Sequence, residues 1–152
     1  MTAIRQTSIE GLILVPLKQI ADDRGAVLHM IRADSPVFDR FGEVYFSEVN
    51  YQVVKGWKRH QCMTQNFAVP TGAIKLVIYD DRDDSPTRGN LEQLIIGRPD
   101  NYVLVRIPWG LWYGFQGLDE QPSLIANCAD MPHDPDESET KPLDDPAIPF
   151  TW

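Results

Sequence analysis

Turn signals interrupt this chain so often that no long helix fits between them. "DDRG" (22–25), "DDSPTRGN" (83–90), "GRPDN" (97–101) and "PWG" (108–110) separate short runs rich in β-branched and aromatic residues. Runs bounded in this way by Gly, Pro and Asp read as strands. The pattern predicts strands at 11–20, 26–32, 43–50, 65–70, 73–81, 91–97, 102–108 and 123–130, and the stretch "VVKGWKRH" (53–60) also reads as extended. Twelve scattered prolines count further against helices. Only "SPVFDRFG" (35–42) suggests a turn or two of helix. The fold class expected is therefore all-β, a sandwich or barrel. In "AIKLVIYDD", alternation puts Ile74, Leu76 and Ile78 on one face and Lys75, Val77 and Tyr79 on the other.

The 152 residues, 43% of them hydrophobic, suffice for one domain around one core, expected to span 1–152. From Pro132 the composition turns acidic and proline-rich, and the chain closes on "IPFTW". Those terminal apolar groups predict a tail, 132–152, that docks on the body instead of fraying. The formal charge of -8 argues against a nucleic-acid partner, which needs a basic face to displace counterions. Cys62 and Cys128 are too few for a disulfide scaffold or a cysteine metal set, and read as free thiols in a reducing cytoplasm. The apolar run "LILV" near the N-terminus is too short for a signal segment or a membrane span. A cytoplasmic protein without a membrane partner is expected.

One segment stands against the acidic background. Lys55, Lys58, Arg59 and His60 crowd together. Strand alternation places Lys58 and His60 on one face and Trp57 and Arg59 on the other, so Lys58 and His60 can reach one ligand. That pair suits an anionic or carbonyl-bearing substrate. His60 titrates near neutrality and can serve as a general base, given a carboxylate to orient it; neighbouring cations would keep it neutral. The plain alternative is a surface histidine in a charged segment. A histidine-rich metal site is disfavoured, since His29 and His133 lie far away in sequence, and no metal is expected. Arg24 either sits solvated in its turn or grips a phosphate with its planar fork. The densest aromatic stretch, Trp109, Trp112, Tyr113 and Phe115 interleaved with glycines, is either core or a wall for a sugar or base ring.

Taken in order, "ADDRG", "FSEVN", "KGWKRH", "DDRDDSPTRGN", "IPWGLWYGF" and "LDDPAIPFTW" resemble the dTDP-4-dehydrorhamnose 3,5-epimerase family of sugar-nucleotide cupins. That family shows a "D-x-R-G" turn, a "K-G-x-x-R-G-L-H" strand, a "D-x-R-x-x-S-P-T-x-G" hairpin, an "I-P-x-G-F-x-H-G-F" segment and a closing "D-P" before a final Trp. The likeness runs from about residue 20 to the C-terminus, and "DDRDDSPTRGN" is its most specific part. It implies a cupin-type double-stranded β-helix, a jelly-roll barrel. It also implies a homodimer that exchanges edge strands, a nucleotide-diphosphate 4-keto-6-deoxysugar as ligand, and no cofactor, because the ketone acidifies the proton itself. By the resemblance Arg24 matches the diphosphate arginine, His60 the base and Asp145 its orienting carboxylate.

The chain also departs from the family pattern. Lys58 stands at the family's His position, with His60 two residues on. Gln65 replaces the active-site Lys, Tyr113 replaces the His of "H-G-F", and Asn127 or a neighbour takes the place of the catalytic Tyr. The expectation is an epimerase or isomerase in which His60 removes a proton next to a ketone, Lys58 or Arg59 steadies the enolate, and Tyr113 stands in for the missing acid. Arg24, Arg59, Gln65, Trp112 and Asn127 are expected to hold the substrate. The alternative is a non-catalytic barrel that binds a nucleotide sugar and serves as a scaffold or regulator.

Overall fold

Along 73–79 the expected alternation holds: Ile74, Leu76 and Ile78 are fully buried in the main core, while Val77 and Tyr79 face a second apolar cluster. The computed structural model describes residues 4–152. Its strands are β1 (Arg5–Gln6), β2 (Ile13–Pro16), β3 (Gln19–Asp22), β4 (Gly25–Leu28), β5 (Glu43–Val49), β6 (Val54–His60), β7 (Gln65–Thr71), β8 (Ala73–Tyr79), β9 (Leu91–Gly97), β10 (Val103–Ile107), β11 (Trp112–Gly117), β12 (Ser123–Ala129) and β13 (Ser138–Thr140). Among the described residues no helix is long and apolar enough to cross a membrane.

The strands form two antiparallel sheets and a separate β3–β4 hairpin. One sheet runs β1-β2-β10-β7-β12-β5 and the other β13-β6-β11-β8-β9. This is the jelly roll that the resemblance implies. The main core lies between the sheets, where Phe67, Val69, Val105 and Ile125 of the first meet Leu76, Ile78, Tyr113 and Phe115 of the second. Both sheets are also covered outside. Val15 and Leu104 pack there with Val37, so β2 and β10 are apolar on both faces and do not alternate cleanly. Outside the second sheet, Trp57, Val77 and Trp112 hold Ile148, with Phe150 and Trp152 packed against them. Gly114 makes that closure possible, since a Cβ there would stand 2.8 Å from the Trp152 ring.

The expectations for 11–20 and 35–42 differ from the structure. Residues 11–20 form two strands, because Pro16 cannot extend the ladder and Leu17 turns to bond Tyr102 O at 3.0 Å. The segment 35–42 contains turns, not helix; its Phe38 N–H reaches Ser35 O at 3.0 Å. The helical turn instead falls in the tail, a single 3₁₀ turn at Pro135–Glu137 with Asp134 as its N-cap.

Candidate active site

A cavity of about 220 Å³ opens between the two sheets. The first sheet lines it with Tyr45, Phe67, Ile125 and Asn127, and the second with Lys55, Lys58, Tyr113 and Phe115. Its lining, apolar with a few convergent polar groups, has the mixed character of a small-ligand site.

Lys58 and His60 do share the inner face of β6, and Trp57 and Arg59 the outer one, as alternation predicts. His60 is 4% exposed and sits just behind the cavity wall, its Nε2 3.5 Å from the Tyr113 hydroxyl and its ring nearly parallel to the phenol. Nδ1 is held by a carboxylate from the tail, but that carboxylate is Glu137 and not Asp145. The reason is register. β13 pairs with the end of β6 so that Ser138 lies opposite His60, which brings the preceding residue, at the end of the 3₁₀ turn, against the imidazole. Asp145 lies beyond Pro142, where it accepts from Ala147 N at 2.9 Å and faces Lys141 at 3.7 Å.

Glu137 is fixed from three sides. Oε1 meets His60 Nδ1, and Oε2 accepts from Cys62 N and Met63 N at 3.1 Å each. Burial acts to raise its pKa, but these hydrogen bonds outweigh burial and hold the carboxyl below its ordinary value. A carboxylate at Nδ1 assigns the imidazole proton to that nitrogen and leaves the Nε2 lone pair toward Tyr113. Burial pushes the His60 pKa below its ordinary 6.5, against the upward pull of Glu137 and with a smaller push from Lys58. The neutral, basic form is thereby favoured.

Across the cavity floor runs a chain of polar side chains. Tyr113 O–H donates to Gln65 Oε1 at 3.3 Å, and Asn127 Nδ2 donates to the same oxygen at 3.0 Å and to the Tyr45 hydroxyl at 2.8 Å. Gln65, Tyr113 and Asn127 are thus brought together as expected site residues. Among the described residues the Lys58 ammonium has no carboxylate partner, while Lys55 reaches Ser47 Oγ at 3.3 Å and the Glu48 carbonyl.

Besides Asp145, three expected site residues lie elsewhere. Arg59 points to the outer face, where it bridges Asp81 at 3.0 Å and Glu139 at 2.9 Å and stacks over Trp112 at 4.6 Å; it has no access to the cavity as an enolate or substrate ligand. Trp112 is buried on that same outer face, with Nε1 bonded to Asp81, and is no wall of the cavity, because Tyr113 takes the inward position next to it. Arg24 is exposed at the tip of the β3–β4 hairpin and paired with Asp22, away from the cavity of its own chain.

Two residues were missed. Glu137 is one of several acids in "DPDESETKPLDD", and the cue was the Asp134–Pro135 start of a turn just before it. Tyr45 sits in "EVYFSEV", where polarity alone would send Val44 and Phe46 inward. The structure does the reverse: Val44 and Phe46 are 46% and 64% exposed, and Tyr45 and Ser47 line the cavity.

With this geometry in place, the comparisons with known proteins converge. The profile of the dTDP-4-dehydrorhamnose 3,5-epimerase family matches residues 6–152. The spore coat polysaccharide biosynthesis protein SpsL of Bacillus subtilis is 33% identical over 146 residues, 95% of this chain and 96% of its own. The probable low-salt glycan biosynthesis epimerase Agl13 of Haloferax volcanii is 38% identical over 137 residues, 87% of this chain and 86% of its own. A dTDP sugar isomerase from Desulfovibrio desulfuricans G20 superposes with a TM-score of 0.95 at 55% identity, covering 97% of this chain and 94% of that one. At 22% identity, the dTDP-4-dehydrorhamnose 3,5-epimerase of Bacillus anthracis, solved with TDP and PPi, shares the fold with a TM-score of 0.87 over 100% of this chain and 90% of its own. The chain belongs to the dTDP-4-dehydrorhamnose 3,5-epimerase family of isomerases.

Proposed function

We propose that the protein epimerises or isomerises a nucleoside-diphosphate 4-keto-6-deoxyhexose, with dTDP as the nucleotide, in deoxysugar and polysaccharide biosynthesis. The observation that carries this reading is the buried Glu137–His60 pair placed directly behind a cavity that Lys58 enters. Family membership and the glycan-related names of SpsL and Agl13 support the substrate class.

His60 Nε2 takes the proton from the carbon next to the ketone. The C–H pair moves into a C=C bond and the carbonyl pair onto oxygen, giving an enolate. Lys58 holds that oxygen, and such fixed charge at a developing oxyanion is usually the largest catalytic term. Glu137 keeps His60 in the reactive tautomer and steadies the imidazolium that forms. Base assistance of this kind contributes about 10²–10⁴-fold. Gln65 and Asn127 supply the polar floor on which the sugar rests.

The proposal extends to a homodimer. Val44 and Phe46 on edge strand β5, with Ile20 (49% exposed) and Val27 (60%) on the β3–β4 hairpin, offer apolar surface for a second copy. A hairpin laid across that copy would carry Arg24 toward the partner's cavity to hold the diphosphate. Two unpaired cysteines accord with a cytoplasmic setting.

The test is incubation with dTDP-4-keto-6-deoxyglucose in D₂O, followed by proton NMR. Deuterium should enter next to the ketone, and His60→Ala should slow entry at least about 100-fold. Binding of the substrate without any exchange in the wild type would refute the enzymatic reading in favour of a binding barrel.

A further inference from the structure

An inversion next to a ketone needs a proton taken from one face of the sugar ring and another delivered to the opposite face. His60 belongs to the five-stranded sheet, so the donor belongs on the six-stranded sheet that faces it across the cavity. Two phenols reach this space. Tyr113 is on β11, the strand next to β6 in the same sheet as the base; its hydroxyl has two protein acceptors, Gln65 Oε1 at 3.3 Å and the His60 Nε2 lone pair at 3.5 Å, so its proton is held by the protein. It stands on the side where the proton leaves.

Tyr45 is on β5 of the opposite sheet and lines the cavity. Its register partner on β12 is Asn127, which by the resemblance stands at or beside the place of the family's tyrosine. The hydrogen-bond directions there follow from one constraint. Asn66 N–H donates to Asn127 Oδ1 at 3.3 Å, which fixes the amide so that both Nδ2 protons are donated, one to Gln65 and one to the Tyr45 oxygen. Tyr45 therefore accepts from the protein, and among the described residues its own O–H has no acceptor. It is the phenol whose proton remains free for the cavity.

We infer that Tyr45 is the general acid of the reaction and delivers a proton to the enolate carbon on the face opposite His60, the tyrosine having moved from β12 to the neighbouring strand. The inference rests on the function proposed above. As the new C–H bond forms, the enolate pair leaves the C=C bond, the carbonyl is restored, and the Tyr45 O–H pair stays on oxygen as a phenolate beside Asn127. His60 carries the proton removed. Exchange of both groups with water resets the site, so no oxidant or co-reactant is consumed.

The experiment compares wild type, Tyr45→Phe and Tyr113→Phe with dTDP-4-keto-6-deoxyglucose in D₂O, scoring deuterium entry into unreacted substrate separately from inverted product. Binding of dTDP certifies each fold. Tyr45→Phe is expected to keep exchange into substrate within about tenfold of wild type while inverted product falls at least about 100-fold. Tyr113→Phe should change exchange and inversion by the same factor, since Tyr113 stands on the base's side. Wild-type-like inversion by Tyr45→Phe, equal loss of both readouts in that variant, or exchange without inversion in Tyr113→Phe would each overturn Tyr45 as the acid while leaving the epimerase reading intact. A wild type that binds dTDP but neither exchanges nor inverts would overturn both.

Discussion

Glu137 meets the Nδ1 of His60 across 77 positions of sequence, and it does so because Ser138 pairs with His60 in the ladder between β13 and β6. The acidic tail is thus part of the site. Its 3₁₀ turn aims the carboxylate inward, and the aromatic residues that follow anchor the tail on Trp57 and Trp112.

Glu137→Gln keeps the shape but permits the wrong imidazole tautomer and removes the countercharge to the imidazolium. Turnover should fall at least about 100-fold with substrate KM little changed. Asp145→Ala, by contrast, removes a cap on Ala147 N and a distant lysine contact. It should cost about 1 kcal/mol of stability and leave turnover within about threefold. Steady-state kinetics on the two variants separates the assignments, and a reversed order would restore Asp145 as the partner.

The His60–Glu137 pair also sets a pH response. His60 is held below 6.5 in the fold, so the acid limb of kcat/KM should have its midpoint below 6.5. The same shift acts on stability. Below 6.5 the unfolded chain takes up the histidine proton before the folded one does, so stability falls with pH from 6.5 down to the folded value. Glu137, lowered from 4.5, adds a second loss in a lower window, as pH falls below 4.5 toward its folded value. Urea unfolding across pH should show both slopes in wild type, and His60→Gln should lack the upper one.

Much of this was legible in the chain, and what was not has a physical cause. Alternation in a strand is reliable where one face meets a core, which is why the face shared by Lys58 and His60 and the inward set Ile74, Leu76 and Ile78 could be read directly. It misleads where the inner face lines a polar cavity and the outer face is left bare, and Tyr45 was missed for that reason. The tail's carboxylate could be expected in kind but not in number. Which acid reaches His60 depends on the β13–β6 register, and no local pattern in "DPDESETKPLDD" encodes a pairing with residues so far upstream. Arg59 was placed on the outer face by alternation, yet its basic neighbours invited a catalytic reading that its two carboxylate partners rule out.

That contrast makes Lys58 and Arg59 separable despite adjacency. Lys58→Met removes the cation nearest the expected enolate oxygen, and kcat/KM should drop about 10²–10³-fold with the melting temperature almost unmoved. Arg59→Met strands Asp81 and Glu139 and removes the guanidinium over Trp112. It should destabilise by about 1–2 kcal/mol and leave kcat/KM within about threefold of wild type in the folded range. Thermal unfolding and kinetics measured on the same preparations decide between the two roles.

The segment "DDRDDSPTRGN", the most specific part of the family likeness, does its work in folding. Asp80 is wholly buried; its carboxylate accepts from Arg82 Nε and Nη2 at 2.9 Å each, Ser85 Oγ at 2.6 Å and Thr87 Oγ1 at 2.8 Å, while its backbone bonds Gly89 and Asn90 across the turn. Arg82 extends the network to Glu10 O at 2.8 Å, tying the hairpin to the N-terminal segment. Burial acts to raise the Asp80 pKa, and the hydrogen bonds from Arg82, Ser85 and Thr87 overcome it, holding the carboxyl well below the ordinary 3.8. Asp80→Asn puts an amide where five donors converge, the Arg82 backbone N–H at 3.1 Å among them, and leaves a partly buried guanidinium without its charge. The cost should be about 3–5 kcal/mol, since breaking a buried pair by removing one partner leaves the other uncompensated. The depressed pKa fixes the pH window: the contribution is present above 3.8 and lost only as pH falls below it. Urea unfolding at neutral pH and in the acid range should therefore find the gap between wild type and Asp80→Asn wide at neutrality and narrowing below 3.8. A gap under about 1 kcal/mol at neutrality would show that this network does not hold the hairpin.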